Sequence, residues 1–215
     1  MARPRNSEGR NTREAILDAA LDLFAEHGYF GTSTRQIARA VGVRESALYH
    51  HFESKDAIFH ALLDENGPGR VRQLVAIDVD AMLEAMEPRE LLKRMLDVMV
   101  AAFSIPAEQK MFRLIIQEGA RIAAADVVNP LQVVGRVRQG LGTVFARLVE
   151  RKAIRPVDPM TIALMLMGPI ALMRFIHLTH KPDLKAFQTE MDRFFEQFWE
   201  SIKPVEAPSR GRRTT

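Results

Sequence analysis

A guanidinium, a carboxylate, a hydroxyl and a methyl stand in a row at Arg44-Glu45-Ser46-Ala47, directly after Val41-Gly42-Val43. Each of these groups can meet a base edge. Arginine gives guanine two hydrogen bonds, a carboxylate accepts from cytosine, and a methyl touches that of thymine. The bland alternative is a solvated helix start, so the reading depends on what holds the row. Ser33 and Gln36 have the spacing of a capping box, which opens a helix. Ile37 and Val41 give that helix one apolar face, and the small Ala38 lets a second helix cross close by. Gly42 sits where the turn takes a backbone angle that glycine adopts at no steric cost. Val43 and Leu48 supply the apolar contacts of the second helix. Residues 33–52 thus read as a helix-turn-helix, whose second helix fits a DNA major groove. At the start of the first motif helix, Thr34 and Arg35 stand beside exposed amides that suit a phosphate.

The elements around this unit are also helical, and no segment alternates like a strand. The fold class expected is all-α. Residues 1–10 are polar and basic and read as a flexible arm. Asn11 and Glu14 then cap a helix reaching His27, with Ile16, Leu17, Ala20, Leu21 and Phe24 as its stripe and Gly28 as its end. Ser54 caps a fourth helix, with Asp56 well placed for its dipole. Residues 11–65 form one small domain. Asn66-Gly67-Pro68-Gly69 is a strong breaker, read as a domain boundary and a soft hinge. A larger helical domain spans 70–202. Its helices are expected over about 70–86, from Pro88 to about Phe103, from Pro106, from Asn129-Pro130 to Lys152, from Asp158-Pro159 to His180, and from Asp183 to about Ile202. Residues 203–215 are rich in Pro, Ser and Arg and are expected to be disordered.

Composition narrows the function classes. The 215 residues are 47% hydrophobic and 27% charged, ordinary for a globular protein with a sizeable core. No cysteine is present, which excludes disulfides and thiol chemistry and suits a reducing cytoplasm. A net charge of +3 is compatible with nucleic acid. Met1-Ala2-Arg3-Pro4-Arg5 leads into no apolar run, so no secretory signal is expected. The longest apolar run, Ile162 to Met173, holds Gly168-Pro169 and reads as a core or interface helix rather than a membrane span. The pairs His51 and His60, and His177 and His180, lack a convincing third ligand and read as structural, so no metal or other cofactor is expected. No paired-carboxylate, Ser/His/Asp or glycine-loop constellation stands out, and no catalytic residue is assigned.

From Thr12 through Leu63 the sequence resembles the N-terminal domain of the TetR family of transcriptional regulators. The likeness is carried by Ile16-Leu17-Asp18-Ala19-Ala20-Leu21-Asp22-Leu23-Phe24, His27-Gly28-Tyr29, Thr34-Arg35-Gln36-Ile37-Ala38, Val41-Gly42-Val43, Leu48-Tyr49-His50-His51-Phe52 and Ser54-Lys55. The number and order of the later helices fit the family's ligand-binding and dimerisation domain. The segment Ile154-Arg155-Pro156-Val157-Asp158-Pro159 also resembles the usual approach to the dimerisation helices. The resemblance implies a homodimer on a palindromic operator, usually a repressor released by a small molecule. It implies phosphate contacts for Tyr49, His50 and Lys55, which fix register without reading sequence. In two places the chain departs from the family. Glu45 stands where a basic residue is common, and residues 66–69 interrupt the helix that normally links the domains.

Within the larger domain, Met82, Met86, Met99, Phe103, Phe112 and Ile116 are the candidate ligand-lining residues, since methionine and aromatic groups suit adaptable apolar cavities. Plain core packing is the competing reading. Arg113, Gln117, Glu118 and Arg121 would fix a ligand's polar end or form a solvated face. Leu184, Phe187, Met191, Phe194 and Phe198 form a stripe, widened by Phe195, Trp199 and Ile202. Such a width exceeds what packing on the chain's own core requires. With the preceding, nearly all-apolar helix it predicts a four-helix interface between two copies. The expected function is ligand-responsive transcriptional repression on double-stranded DNA, with a small, largely apolar effector. Two alternatives compete with it: a DNA-binding regulator that lacks a ligand or activates, and a helical enzyme carrying a helix-turn-helix.

Overall fold

The computed structural model describes residues 5–66, 68–74, 76–178 and 182–205. Its elements are all helices: α1 (Arg5–His27), α2 (Thr34–Val41), α3 (Glu45–His51), α4 (Lys55–Glu65), α5 (Pro68–Leu74), α6 (Val79–Ala85), α7 (Pro88–Phe103), α8 (Pro106–Ala124), α9 (Pro130–Glu150), α10 (Pro159–Leu178) and α11 (Leu184–Ile202). Local chemistry sets most of the boundaries. Ser54 accepts from the Ala57 amide at 3.0 Å, Asp183 from the Ala186 amide at 2.9 Å and Asp158 from the Thr161 amide at 2.7 Å. Each satisfies one donor that the first turn would otherwise leave open. Pro88 and Pro106 open α7 and α8, where a missing amide hydrogen costs nothing.

Three expectations are corrected. The first helix begins at Arg5, within the stretch read as an arm, because residues 5–10 hold no proline and one glycine weakens a helix by only about 1 kcal/mol. The single helix expected over 70–86 is two, α5 and α6. Asp78 sits in extended backbone and accepts from the Ala81 amide at 3.1 Å, so its capping preference starts a new helix. The break exists, α4 ending at Glu65 and α5 opening at Pro68, but at Gly69 it is packed rather than soft, and Gly67 lies outside the described residues. Gly69 is buried, and a Cβ there would overlap the Asp64 carbonyl. The tail read as disordered is described only to Val205, and residues 206–215 lie outside the described residues.

Two hydrophobic cores form. One is built from Ile16, Leu21, Phe24, Tyr29, Ile37, Leu48, Phe59 and Leu62 of the N-terminal domain. Met111, Leu114 and Ile122 of α8 belong to the same core, so α8 is shared between the domains. The second core joins α7, α9, α10 and α11 through residues such as Leu92, Phe145, Ile162, Leu166, Phe187 and Phe195. By length and composition α10 could cross a membrane, being longer than the apolar run counted in the sequence. Its inner face is nevertheless packed on α9 and α11 and carries the buried Arg174. The wide stripe of α11 is largely used within the chain, since Phe187, Met191, Phe195, Phe198 and Ile202 are all buried. The exposed apolar surface lies on α10 instead. Met160, Leu164, Gly168, Leu172 and Ile176 repeat every fourth residue along one open, inclined ridge.

Candidate nucleic-acid interface

The helix-turn-helix is assembled by its own short-range bonds. The Ser33 hydroxyl accepts from the Gln36 amide at 3.3 Å, and the Gln36 side chain accepts from the Ser33 amide at 2.8 Å, completing the capping box. Gly42 has φ of +76°, and the Val43 amide reaches back to the Ala38 carbonyl at 3.0 Å. That left-handed turn closes α2 and aims the chain into α3. Ile37, Ala38 and Leu48 are buried at the crossing, which fixes the angle between the two helices.

The residues singled out from the sequence fall together at this end of the molecule. Arg44 is the N-cap of α3, and its side chain makes no capping bond. Arg44 and Ser46 are exposed, while Glu45 and Ala47 are half-buried. Tyr49 and His50 are exposed on the following turn, and Arg35 is exposed on α2. Two residues behave differently from expectation. Glu45 accepts a hydrogen bond from the Thr34 hydroxyl at 2.9 Å, and that hydroxyl lies 3.2 Å from the Tyr49 hydroxyl. The carboxylate is therefore engaged with α2 rather than held open for a base. Lys55 donates to the carbonyls of Tyr29 and Thr32, both at 2.8 Å, and lies 4.2 Å from the centre of the Tyr29 ring. Two of its three donors are thus used inside the protein, leaving one for a phosphate. Burial pushes its ammonium below the usual lysine range.

Sequence reasoning missed the bonds that hold this domain to α8. The Glu118 carboxylate accepts from the Tyr29 amide at 2.6 Å, immediately before the loop that leads into α2. It also pairs with Arg121 at 3.1 Å, and the Arg121 guanidinium lies 4.8 Å from the centre of the Phe30 ring. Lys110, at the start of α8, pairs with Asp22 of α1 at 2.5 Å. The Tyr29 phenol hydrogen-bonds Asp56, and burial with that carboxylate pushes its pKa up. The glycine at position 28 was the available signal, since it packs directly on Glu118.

The candidate ligand-lining residues are spread over the larger domain. Met99 and Phe103 are buried in its core, Met82 and Met86 pack against that core from the side, and Ile116 is 47% exposed. Phe103 and Phe112 are brought together by Arg174, whose guanidinium carbon lies 3.8 Å and 4.2 Å from their ring centres. Burial lowers the pKa of that guanidinium to about 10. A separate apolar cavity of about 350 Å³ lies between α4, α8 and α9, lined by Phe59, Leu63, Ile115, Ile122 and Val133 among others. His60 contacts the Val127 carbonyl at 2.5 Å, and His180 lies outside the described residues. Among the described residues no three His, Asp or Glu side chains converge as a metal site needs.

Comparison with known proteins agrees with this architecture. Residues 16–62 match the family described as bacterial regulatory proteins, tetR family. The transcriptional repressor KstR2 of Rhodococcus jostii (strain RHA1) is 44% identical over 84 residues, which cover 36% of this chain and 40% of that repressor. The match therefore spans less than half of the relative's own length. Among solved structures, Salmonella enterica GusR has a TM-score of 0.70 at 22% identity, covering 88% of this chain and 94% of that one. The TetR family transcriptional regulator PfmR of Thermus thermophilus has a TM-score of 0.59 at 24% identity, covering 84% and 97%. At those identities the likeness speaks for the fold, and it extends over both domains. The capped helix-turn-helix, the matched segment and the two-domain helical fold thus agree: residues 16–62 carry the DNA-binding domain of the tetR family of bacterial regulatory proteins, within a fold shared with solved regulators of that family.

Proposed function

We propose that this protein is a ligand-responsive transcriptional repressor. Two copies join through α10 and set one α3 each into successive major grooves of a palindromic operator. A small, largely apolar molecule in the larger domain then releases them. The observation that carries the reading is the division of α3. Leu48 is fully buried in the domain core, while Ser46 and His50 stand exposed on the opposite side of the helix, Tyr49 is exposed on its flank and Arg44 is exposed at its N-cap. Arg44, Ser46 and Ala47 read bases, and Arg35, Tyr49, His50 and the remaining Lys55 donor fix phosphates. Glu45 positions Thr34 and Tyr49 and reads cytosine only if that bond opens.

The open stripe on α10 supports the dimer. Fully burying one large apolar side chain contributes about 1.5–3 kcal/mol, so a few from each copy can outweigh association costs of roughly 4–15 kcal/mol. The repressor assignment follows the R. jostii relative, which bears that description. Release follows from α8, which has one face in the core of the DNA-binding domain and carries Phe112 toward Arg174. The test is an electrophoretic shift with DNA flanking the protein's own gene, repeated with about 200 mM added salt. Specific binding that weakens with salt and is weakened in Arg44→Ala is expected. Equal affinity for flanking and random DNA would overturn the reading.

A further inference from the structure

Arg174 is the least expected side chain in the larger domain. It is a single charge on an otherwise apolar helix, only 8% exposed. Its guanidinium lies between the rings of Phe103 and Phe112, which satisfy its charge through their faces but not its in-plane donors. The nitrogens Nε and Nη2 have no hydrogen-bond partner. These two are the adjacent pair on one edge of the guanidinium, the edge that takes both oxygens of a carboxylate at once. Glu108 lies nearby, but its Oε2 is 3.9 Å from Nη2, beyond hydrogen-bond reach. A buried donor without an acceptor is costly in a folded protein, and persistence of such a group asks for a reason.

We infer that Arg174 is the anchor of the effector site, and that the effector is a small apolar molecule bearing one carboxylate. This rests on the ligand-responsive reading above and names the ligand's chemical class. The carboxylate takes the Nε and Nη2 edge, and the apolar remainder meets Phe103 and Phe112. A monoanion fits better than a phosphate. Glu108 already places one negative charge beside Arg174, so a monoanion brings the total to two, and a dianion would bring it to three against a single cation. The site also lies on the transmitting element. Glu108 and Phe112 belong to α8, and so do Met111, Leu114 and Glu118, which hold the DNA-binding domain. A ligand that binds Arg174 better in one placement of α8 than in another shifts that domain.

The experiment uses the full chain and four probes: octanoate and benzoate, with 1-octanol and benzyl alcohol as neutral counterparts. Thermal unfolding and operator affinity are read for the parent, Arg174→Met and Arg174→Lys. Methionine removes the buried charge at similar length, a change that often leaves a fold intact or more stable. At least one acid is expected to raise the parent's Tm while its alcohol does not. Arg174→Met should bind that acid at least about tenfold more weakly, and Arg174→Lys should fall between because an ammonium lacks the fork. The inference is overturned if neither acid stabilises the parent, if the alcohols do so equally, or if an acid binds Arg174→Met as tightly. Should Arg174→Met not fold, the acid and alcohol comparison on the parent and Arg174→Lys decides. An acid that binds through Arg174 without changing operator affinity supports the site and overturns the repressor reading alone.

Discussion

Two glycines with the same backbone angle isolate the strength of the contact between the DNA-binding domain and α8. Gly28 and Gly42 both have φ of +76°, so alanine at either position pays the same left-handed penalty, about 1–2 kcal/mol. Their surroundings differ. A Cβ at Gly42 meets nothing within 4 Å, whereas one at Gly28 would lie 2.6 Å from Glu118 Oε1. The Glu118 side chain can swing away, but only by giving up the Tyr29 amide at 2.6 Å and Arg121 at 3.1 Å. Losing a charge-assisted bond to a part-buried amide costs about 1.5–3 kcal/mol, while the exposed Arg121 pair adds little. Gly42→Ala should therefore destabilise by about 1–2 kcal/mol, and Gly28→Ala by that amount plus about 1.5–3 kcal/mol. In a Glu118→Ala background nothing remains to be displaced, and the cost of Gly28→Ala should fall to that of Gly42→Ala. Urea unfolding of the four variants and the parent gives the coupling energy as a double-mutant cycle. Equal costs for the two glycines, or a Gly28 cost indifferent to Glu118, would refute the latch.

The remaining predictions concern the other contacts. Arg44→Ala should lower operator affinity by about 1–3 kcal/mol and relax one base position, and selection from a randomised duplex pool that returns an unchanged preference would contradict a base contact. Leu164→Glu with Leu172→Glu places two charges on the open stripe of α10, where the side chains are 55% and 53% exposed. Sedimentation should then show monomers with an unchanged far-ultraviolet spectrum; a persistent dimer would move the interface elsewhere. Asp80 bonds Arg147 and Arg151, which hold its carboxyl below the usual carboxylate range and tie α6 to α9. A depressed carboxyl contributes stability above its unfolded pKa and loses it as pH falls through the folded value. Asp80→Asn should thus lower the Tm at neutral pH, with the difference shrinking below about pH 4. A difference that grows on acidification would contradict the pairing.

What the sequence made legible is whatever a few neighbouring residues decide among themselves. Ser33 with Gln36, Ser54, Asp183 and the prolines at 88 and 106 act within one turn of a helix, and each stands where its spacing places it. The same logic, applied to Asp78, would have found the start of α6. Long-range bonds were not legible. Lys55 looks like a free cation in sequence, yet its ammonium is held by carbonyls 23 and 26 residues away. Periodicity identifies an apolar face without naming its partner. Met111, Leu114 and Ile122 share one face of α8, but nothing in their spacing says that they complete the core of the other domain.

The proposed dimer surface shows the same limit from the opposite side. The stripe on α11 is wide enough to suggest a second protein, and its width is real. Width measures how much of a helix must be covered, not by which chain. Helix α11 lies against α7 and α10, and the chain's own core consumes Phe187, Met191, Phe195 and Phe198, the last with its ring beside Phe145 of α9. Helix α10 is apolar nearly all round, so after one face meets α9 and α11 another remains. Its four-residue repeat from Met160 to Ile176 is an inclined ridge, of the kind that packs into the groove of a second helix. Gly168 lies in the middle of that ridge, exposed and with open space around it, where two helix backbones can approach most closely. The proposed interface thus falls on the helix whose apolar surface outruns its own neighbours, and α10 rather than α11 is where charge should break it.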